Sequence, residues 1–429
     1  MEERSTNFKR VAVQGWRQFD NVEIELHDRL TIITGANGAG KSSLLRIFSR
    51  HFGYDRPYLA TPVLINGKFV FKAGLFESLA KKISSFFKKE TGLTVGRLAY
   101  SNGYESILSI QNSNSVQYSL DFVQQSVAGL HIDSHQPVSA YQPVANIPAT
   151  ITTPEMAFGM YNGETLNRFM GNNTGYSPLY RMKESLIAMA MFGEPNSRSP
   201  GNPALLKALN GFVDVLRKIL PPSLGFIDLI IRSPDVVLQT RTGEFLIDAA
   251  SGGVTTLIDF AWRLHTFSQG KTNFVVTIDE PENHLHPSMQ RSLMRRLTEA
   301  FPQAQFIVAT HSPFIVSSVK DSSVYVLKYN NSGGVTMEGF IPETTTSRII
   351  SEKLDTINKS SSANEILREV LGVEATVPEW VTSDIKNIVA RYSRNSVTKE
   401  SLRSLRGELE DLGYGDQYPV ALSELVGRQ

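Results

Sequence analysis

Residues Leu30 to Phe48 read LTIITGANGAGKSSLLRIF. The run from Leu30 to Thr34 is short, apolar and rich in β-branched side chains, as a buried strand requires. It passes through Gly35, Asn37, Gly38 and Gly40 into Lys41, Ser42, Ser43 and an apolar pattern of helical period. The reading is strand, glycine loop, helix. The G-x-x-x-x-G-K-S spacing is the phosphate-binding loop, or Walker A pattern, in which small residues let successive backbone N–H groups turn inward at a positive helix end. In that pattern Lys41 reaches the β- and γ-phosphates and Ser42 holds Mg²⁺. A glycine-rich turn without a ligand is the plain alternative, and the strand and helix that flank the loop favour the nucleotide.

The surrounding chain sets few limits. Its 429 residues, 41% hydrophobic and 20% charged, suffice for one large domain with insertions or two to three smaller ones. A net charge of +1 selects no partner, although local patches could meet nucleic acid. With no cysteine there is no disulfide framework, thiolate metal site or cysteine nucleophile. No apolar run approaches the roughly 20 residues that cross a bilayer, and MEERSTNFKR lacks the apolar core of a signal peptide. The expectation is a cytosolic protein with no membrane partner of its own.

Upstream of the loop, Phe8 to Gln14 and Val22 to Leu26 alternate as two antiparallel strands around Gly15-Trp16-Arg17-Gln18-Phe19. Downstream, short strand patterns near Val95 to Tyr100, Ile107 to Gln111 and Ser115 to Phe122 accompany a helical stretch from Leu75 to Phe87. Lys81, Lys82, Lys88 and Lys89 there suit a solvated face or a phosphate backbone. A proline-rich stretch from Gln136 to Pro154 precedes helical patterns at Pro154 to Met170, Pro178 to Phe192 and Pro203 to Leu220, which make a lid. No sustained heptads run through it, so a long rod is not expected. Strand patterns at Phe226 to Ile231, Val236 to Thr240 and Glu244 to Ile247 lead to Ser251-Gly252-Gly253, with Ser251 in N-cap position before an amphipathic helix.

Asn273 to Ile278 is a continuous apolar strand ending in Asp279-Glu280, the Walker B pattern. A parallel sheet would bring Asp279 beside the loop's Mg²⁺ and Glu280 to the water that attacks a γ-phosphate. A helix from Pro287 to Ala300 and a strand from Gln305 to Thr310 follow, the latter ending in His311. His284, His286 and His311 lack the spacing of a zinc site. Val324 to Lys328 and Val335 to Gly339 suggest a hairpin, and from about Ser347 the pattern turns helical without catalytic spacing.

The order of these motifs resembles the ABC-type ATPases of the SMC, RecF and OLD group over about Phe8 to Val326. GANGAGKSS, Ser251-Gly252-Gly253, Thr277 to Glu282, Asn283 to Pro287 and Ala309 to Pro313 correspond to that group's Walker A, signature, extended Walker B, D-loop and switch-histidine motifs. The resemblance implies an α/β head with a mixed central sheet, an antiparallel β subdomain, a helical insertion and a helical C-terminal region. It implies ATP and Mg²⁺ held by Gly35, Asn37, Gly38, Gly40, Lys41, Ser42 and Ser43. Glu280 would be catalytic, Asp279 a metal ligand, His311 the γ-phosphate sensor, and Ser251, Gly252 and Gly253 nucleotide contacts made across a dimer. Trp16, Arg17 and Phe19 are candidates for the adenine and Gln142 for the Q-loop. Ala250 and Val254 depart from the commonest signature residues, which implies slow or partner-controlled hydrolysis.

The compact insertion and the ENHLHP loop look most like ATPases of bacterial anti-phage systems, including OLD proteins and the ATPase subunits of Septu and PARIS. The resemblance implies a homodimer or higher oligomer of heads that controls a separate effector, a nuclease or another toxin. A RecF-like ATPase that clamps DNA is the rival, and a transporter's soluble subunit a third reading. The expected organisation is 1–68 and 223–342 as the two parts of the head, 69–222 as the lid and 343–429 as a helical region.

Overall fold

The structure, a computed structural model, describes residues 6–65, 68–72, 93–111, 115–134, 140–147, 151–172, 174–198, 200–330, 348–355, 363–371, 379–392 and 398–427. The lysine-bearing stretch from Leu75 to Phe87 and the strand expected at Val335 to Gly339 lie outside them. Two compact units divide the chain, Met1–Ala363 and Asn364–Gln429.

The first unit carries strands β1 (Phe8–Trp16), β2 (Phe19–Glu25), β3 (Leu30–Gly35), β4 (Tyr58–Leu59), β5 (Thr61–Ile65), β6 (Lys68–Lys72), β7 (Leu93–Tyr100), β8 (Glu105–Ile110), β9 (Gln117–Tyr118), β10 (Leu120–Asp121) and β11 (Gly129–Ile132). After three helices come β12 (Phe226–Arg232), β13 (Asp235–Thr240), β14 (Gly243–Leu246), β15 (Phe274–Asp279), β16 (Ala304–Ala309), β17 (Ser323–Asn330) and β18 (Arg348–Lys353). Eleven of them form one mixed sheet in the order β10-β8-β7-β1-β2-β18-β17-β3-β16-β15-β11. The half beginning at β1 and β2 is antiparallel, whereas β17, β3, β16, β15 and β11 run parallel. Parallel strands are covered on both faces. Accordingly every residue of β3, β15 and β16 is buried, which explains their unbroken apolar runs.

Each insertion helix starts where sequence punctuation demands. Thr153, Ser177 and Asn202 accept from the backbone N–H groups of Met156, Tyr180 and Ala204, and a proline follows each at the first helical position. The helices span Pro154–Phe169, Pro178–Gly193 and Pro203–Ile219. Met182, Leu186 and Met189 on the second are core residues.

The sequence reading needs correction at two places. The helical pattern expected from Ser347 begins with a strand: β18 pairs antiparallel with β17 and parallel with β2, bridging the two halves of the sheet. Ile349 and Ile350 suit a half-buried pleat, and only the gap between β17 and β2 makes strand the better state. Strand β11 had no expectation at all, because four residues are too few for a period to emerge. In the second unit, helices Glu379–Tyr392, Lys399–Asp411 and Tyr418–Gly427 bury Ile385, Val389, Leu405, Leu409 and Leu425 against one another. Ile366 and Val370 are buried as well.

Candidate functional site

Parallel register builds the site. Asp279 pairs with Ala309 across β15 and β16, and Ala309 pairs with Ile33 across β16 and β3. The segments that follow these residues therefore leave one sheet edge together: the Walker B turn, the Thr310–Ser312 loop and the phosphate-binding loop.

Two glycines of that loop are obligatory. A Cβ at Gly35, whose φ is +143°, would stand 2.5 Å from the Leu327 carbonyl oxygen on β17. At Gly40, with φ +92°, it would stand 2.4 Å from Gln18 Nε2 and 2.5 Å from the Phe19 ring. Ala36, Asn37 and Gly38 between them are exposed. Lys41 opens the helix Lys41–Ser49 and is buried, with Nζ donating to the carbonyls of Gly35 at 2.9 Å and Ala36 at 3.2 Å. Burial holds its ammonium below the usual lysine range, against the opposing pull of Glu280, Asp279 and Glu282.

Burial pushes the Asp279 carboxyl up to about 6, while its hydrogen bond with Ser42 works the other way. Its Oδ1 is buried with no hydrogen-bond partner. An orphaned buried carboxylate oxygen beside a serine hydroxyl is the oxygen donor set that a hard divalent cation takes, so these residues fit Mg²⁺. Glu280 leaves the strand with φ +49°, in the left-handed region that a side chain occupies only under tertiary constraint. Its Oε2 accepts from Asn283 Nδ2 at 3.1 Å, and the same amide donates to the Ser134 carbonyl at 3.2 Å. His311 Nδ1 lies 3.6 Å from Glu280 Oε1.

Ser251 occupies the N-cap position of the helix Gly252–Ser268, but its hydroxyl makes no cap hydrogen bond, and Ser251 and Gly252 are exposed. Gly253 is fixed by packing, since a Cβ there would lie 2.9 Å from the His284 carbonyl oxygen. The turn before it is anchored by Lys183, fully buried, whose Nζ donates to Asp248 at 2.8 Å, Asp235 at 3.3 Å and the Gln142 carbonyl at 2.6 Å. Further along the helix, buried Asp259 accepts from Tyr161, and Arg263 donates to Tyr54 and the His131 carbonyl. A cavity of about 700 Å³ separates this network from Ser42, Asp133 and Asp279.

Several candidates fall elsewhere. Trp16 and Phe19 are buried in the core, with the Trp16 indole donating to Tyr118, so neither is available to an adenine; Arg17 stays half-buried with its guanidinium 5.6 Å from the Tyr58 ring. Gln142 is tied to the turn before the second insertion helix, donating to Gly175 and accepting from Ser177. Asp133, at the end of β11, stands beside Asp279 instead, and no spacing in the sequence pointed to it. His286 caps the helix Pro287–Ala300 by accepting from Ser288. Asn283 and Glu282 lay inside quoted motifs without roles.

Two family descriptions match the chain: "AAA domain" over residues 10–146, and "AAA domain, putative AbiEii toxin, Type IV TA system" over residues 228–317. The chain is similar to the ABC-type ATPases. It also has curated relatives. The "Retron Ec83 probable ATPase" of Escherichia coli is 32% identical over 133 residues, 28% of this chain and 24% of that protein. "Septu protein PtuA" of Bacillus mycoides (strain KBAB4) is 26% identical over 201 residues, 43% of this chain and 26% of that one. The head thus has its likeness to about a quarter of the length of these curated relatives. Among solved structures, the SMC head domain from Thermotoga maritima aligns over 81% of this chain and 99% of that chain, with 12% identity and a TM-score of 0.37. Among the described residues no helix is long and apolar enough to cross a membrane.

Proposed function

We propose that this chain binds and hydrolyses ATP with Mg²⁺, and that ATP-dependent association of two heads controls a separate effector in bacterial anti-phage defence. The observation that carries the nucleotide reading is the sheet edge shared by Lys41 and Ser42, Asp279 and Glu280, and His311. Loop N–H groups and Lys41 hold the β- and γ-phosphates, Ser42 and Asp279 hold the metal, Glu280 orients water, and His311 senses the γ-phosphate. Bound Mg²⁺ would supply charge neutralisation at the β- and γ-oxygens. The exposed N-terminus of the signature helix, Ser251-Gly252-Gly253, would meet nucleotide held by the other subunit. Partial likeness to retron and Septu proteins supports the defence role.

The test is Glu280→Gln. The amide keeps the shape but cannot orient the water, so a fluorescent ATP analogue should still bind while phosphate release falls about a hundredfold. Normal turnover would remove Glu280 from the catalytic role, and a wild-type chain that binds no nucleotide would end the ATPase reading. Light scattering of Glu280→Gln with ATP should give a dimer or larger; a monomer at saturating ATP contradicts the association. Mass spectrometry of proteins that co-purify from the native cell should find an effector bound in one nucleotide state more than the other.

A further inference from the structure

Glu282 is the second glutamate of the Walker B loop, and the roles assigned above leave it idle. Its side chain is only 5% exposed. One oxygen, Oε1, accepts from the Thr310 hydroxyl at 2.7 Å and from the His311 backbone N–H at 2.8 Å. The Thr310 hydroxyl in turn accepts from the backbone N–H of Ser312 at 3.0 Å, and Ser312 Oγ bonds Gln290 Oε1 at 2.7 Å. Burying a carboxylate is costly unless donors surround it, so an apolar side chain would fill this space at lower cost. What the carboxylate achieves is to tie the Walker B turn to the loop that carries the histidine.

It also faces the imidazole. His311 Nδ1 lies 3.3 Å from Glu282 Oε1, nearer than the 3.6 Å to Glu280 Oε1. Glu282 Oε1 already accepts from Thr310 and from the His311 N–H, so it meets Nδ1 as an acceptor, opposes a lone pair there and favours Nδ1–H. The partner of one ring nitrogen decides what the other presents. Nε2 is then the atom left for the nucleotide side. Asn283, meanwhile, holds Glu280 from its opposite oxygen.

We propose that Glu282 is the positioning residue of the switch histidine, fixing Nδ1 of His311 as the protonated nitrogen and holding the ring between the two carboxylates. This rests on the reading of His311 as the γ-phosphate sensor. Glu282 touches no nucleotide itself.

Long-range ¹H–¹⁵N spectra of the full chain labelled at histidine report which ring nitrogen carries the proton, and His311→Gln identifies the signal. Wild type without nucleotide should show Nδ1 protonated. Glu282→Gln keeps an oxygen for Thr310 and the His311 N–H, and should keep that state. Glu282→Asp withdraws the oxygen by one methylene while preserving charge, and Glu282→Leu removes it; both should move the ring toward Nε2–H. Phosphate release in Glu282→Asp should fall about tenfold with KM for ATP unchanged. Should Glu282→Leu fail to fold, Glu282→Asp alone decides. An unchanged ring state in folded Glu282→Asp overturns the proposal, even if hydrolysis falls. Should the ring follow the expected pattern while wild type hydrolyses no ATP, the positioning role stands and the ATPase reading fails.

Discussion

Ile132 and Ile278 are register partners on the parallel strands β11 and β15, so Asp133 and Asp279 leave the sheet side by side. Nothing in the local sequence of either strand announces this. The charge of Asp133 adds to the burial that raises the Asp279 carboxyl. Asp133→Asn should raise the Mg²⁺ concentration needed for half-maximal ATP binding by about tenfold, as loss of a group supporting a metal ligand does. A Mg²⁺ titration of fluorescent nucleotide binding reads this directly, and an unshifted midpoint would leave Asp133 outside the metal corner.

One buried histidine, His131, and one half-buried histidine, His51, predict acid sensitivity of the fold. Burial pushes His51 down to about 4 and His131 down to about 3. The unfolded chain protonates its histidines near 6.5, so above that pH neither histidine affects stability. As pH falls below it, only the unfolded state gains protons, and stability is lost progressively toward the folded values. Between pH 7 and pH 5 the loss is about 2 kcal/mol for each histidine. His51 bonds the Phe48 carbonyl and the Tyr100 hydroxyl. His51→Gln can keep a bond to Tyr100 without titrating, so its melting temperature should drop less between pH 7 and pH 5 than that of wild type. Parallel pH profiles would clear His51 of the effect.

If the signature acts across a dimer, defects at opposite partners of one composite site complement. Lys41→Ala removes the phosphate lysine and Ser251→Arg obstructs the exposed helix end, and each homodimer should be inactive. Mixing them under verified subunit exchange should restore up to one working site per heterodimer. Persistent inactivity of the mixture would contradict the shared site.

The strand β18 decides where the chain can be shortened. Truncation after Pro342 removes β18 from between β17 and β2, exposes both edges, and should give an insoluble or unfolded protein. A chain ending at Ala363 retains the whole central sheet and should melt cooperatively and bind nucleotide. If the second unit docks an effector or a sister subunit, this shorter chain should lose that association while keeping nucleotide binding. A soluble, cooperatively melting product of the Pro342 cut would show that β18 is dispensable.

How much was legible beforehand varied with the distance over which a residue's environment is set. The phosphate-binding loop and the Asp279-Glu280 pair were visible because glycines, charge and strand ends are contiguous there. The three insertion helices were visible through Thr153-Pro154, Ser177-Pro178 and Asn202-Pro203, each a cap followed by a proline that can enter only the first turn. Trp16 and Phe19 stayed open in the sequence because an aromatic residue beside a phosphate loop serves packing or stacking; their burial, the Trp16 indole on Tyr118 and Gly40 against the Phe19 ring place them in packing.

By itself the sequence determined the chemistry that each segment can offer: which loop can cradle phosphate, which strand ends in carboxylates, where helices begin. Those properties are set within a few residues by backbone freedom, hydrophobic period and capping. Tertiary structure alone decided which of those groups meet. Register between parallel strands brought Asp133 to Asp279, the gap between β17 and β2 turned Arg348–Lys353 into a strand, and the folding of the Walker B turn against the next strand's loop put Glu282 beside His311. None of these is a local preference; each follows from burying unbroken apolar strands in one sheet, which fixes the relative positions of segments far apart in the chain.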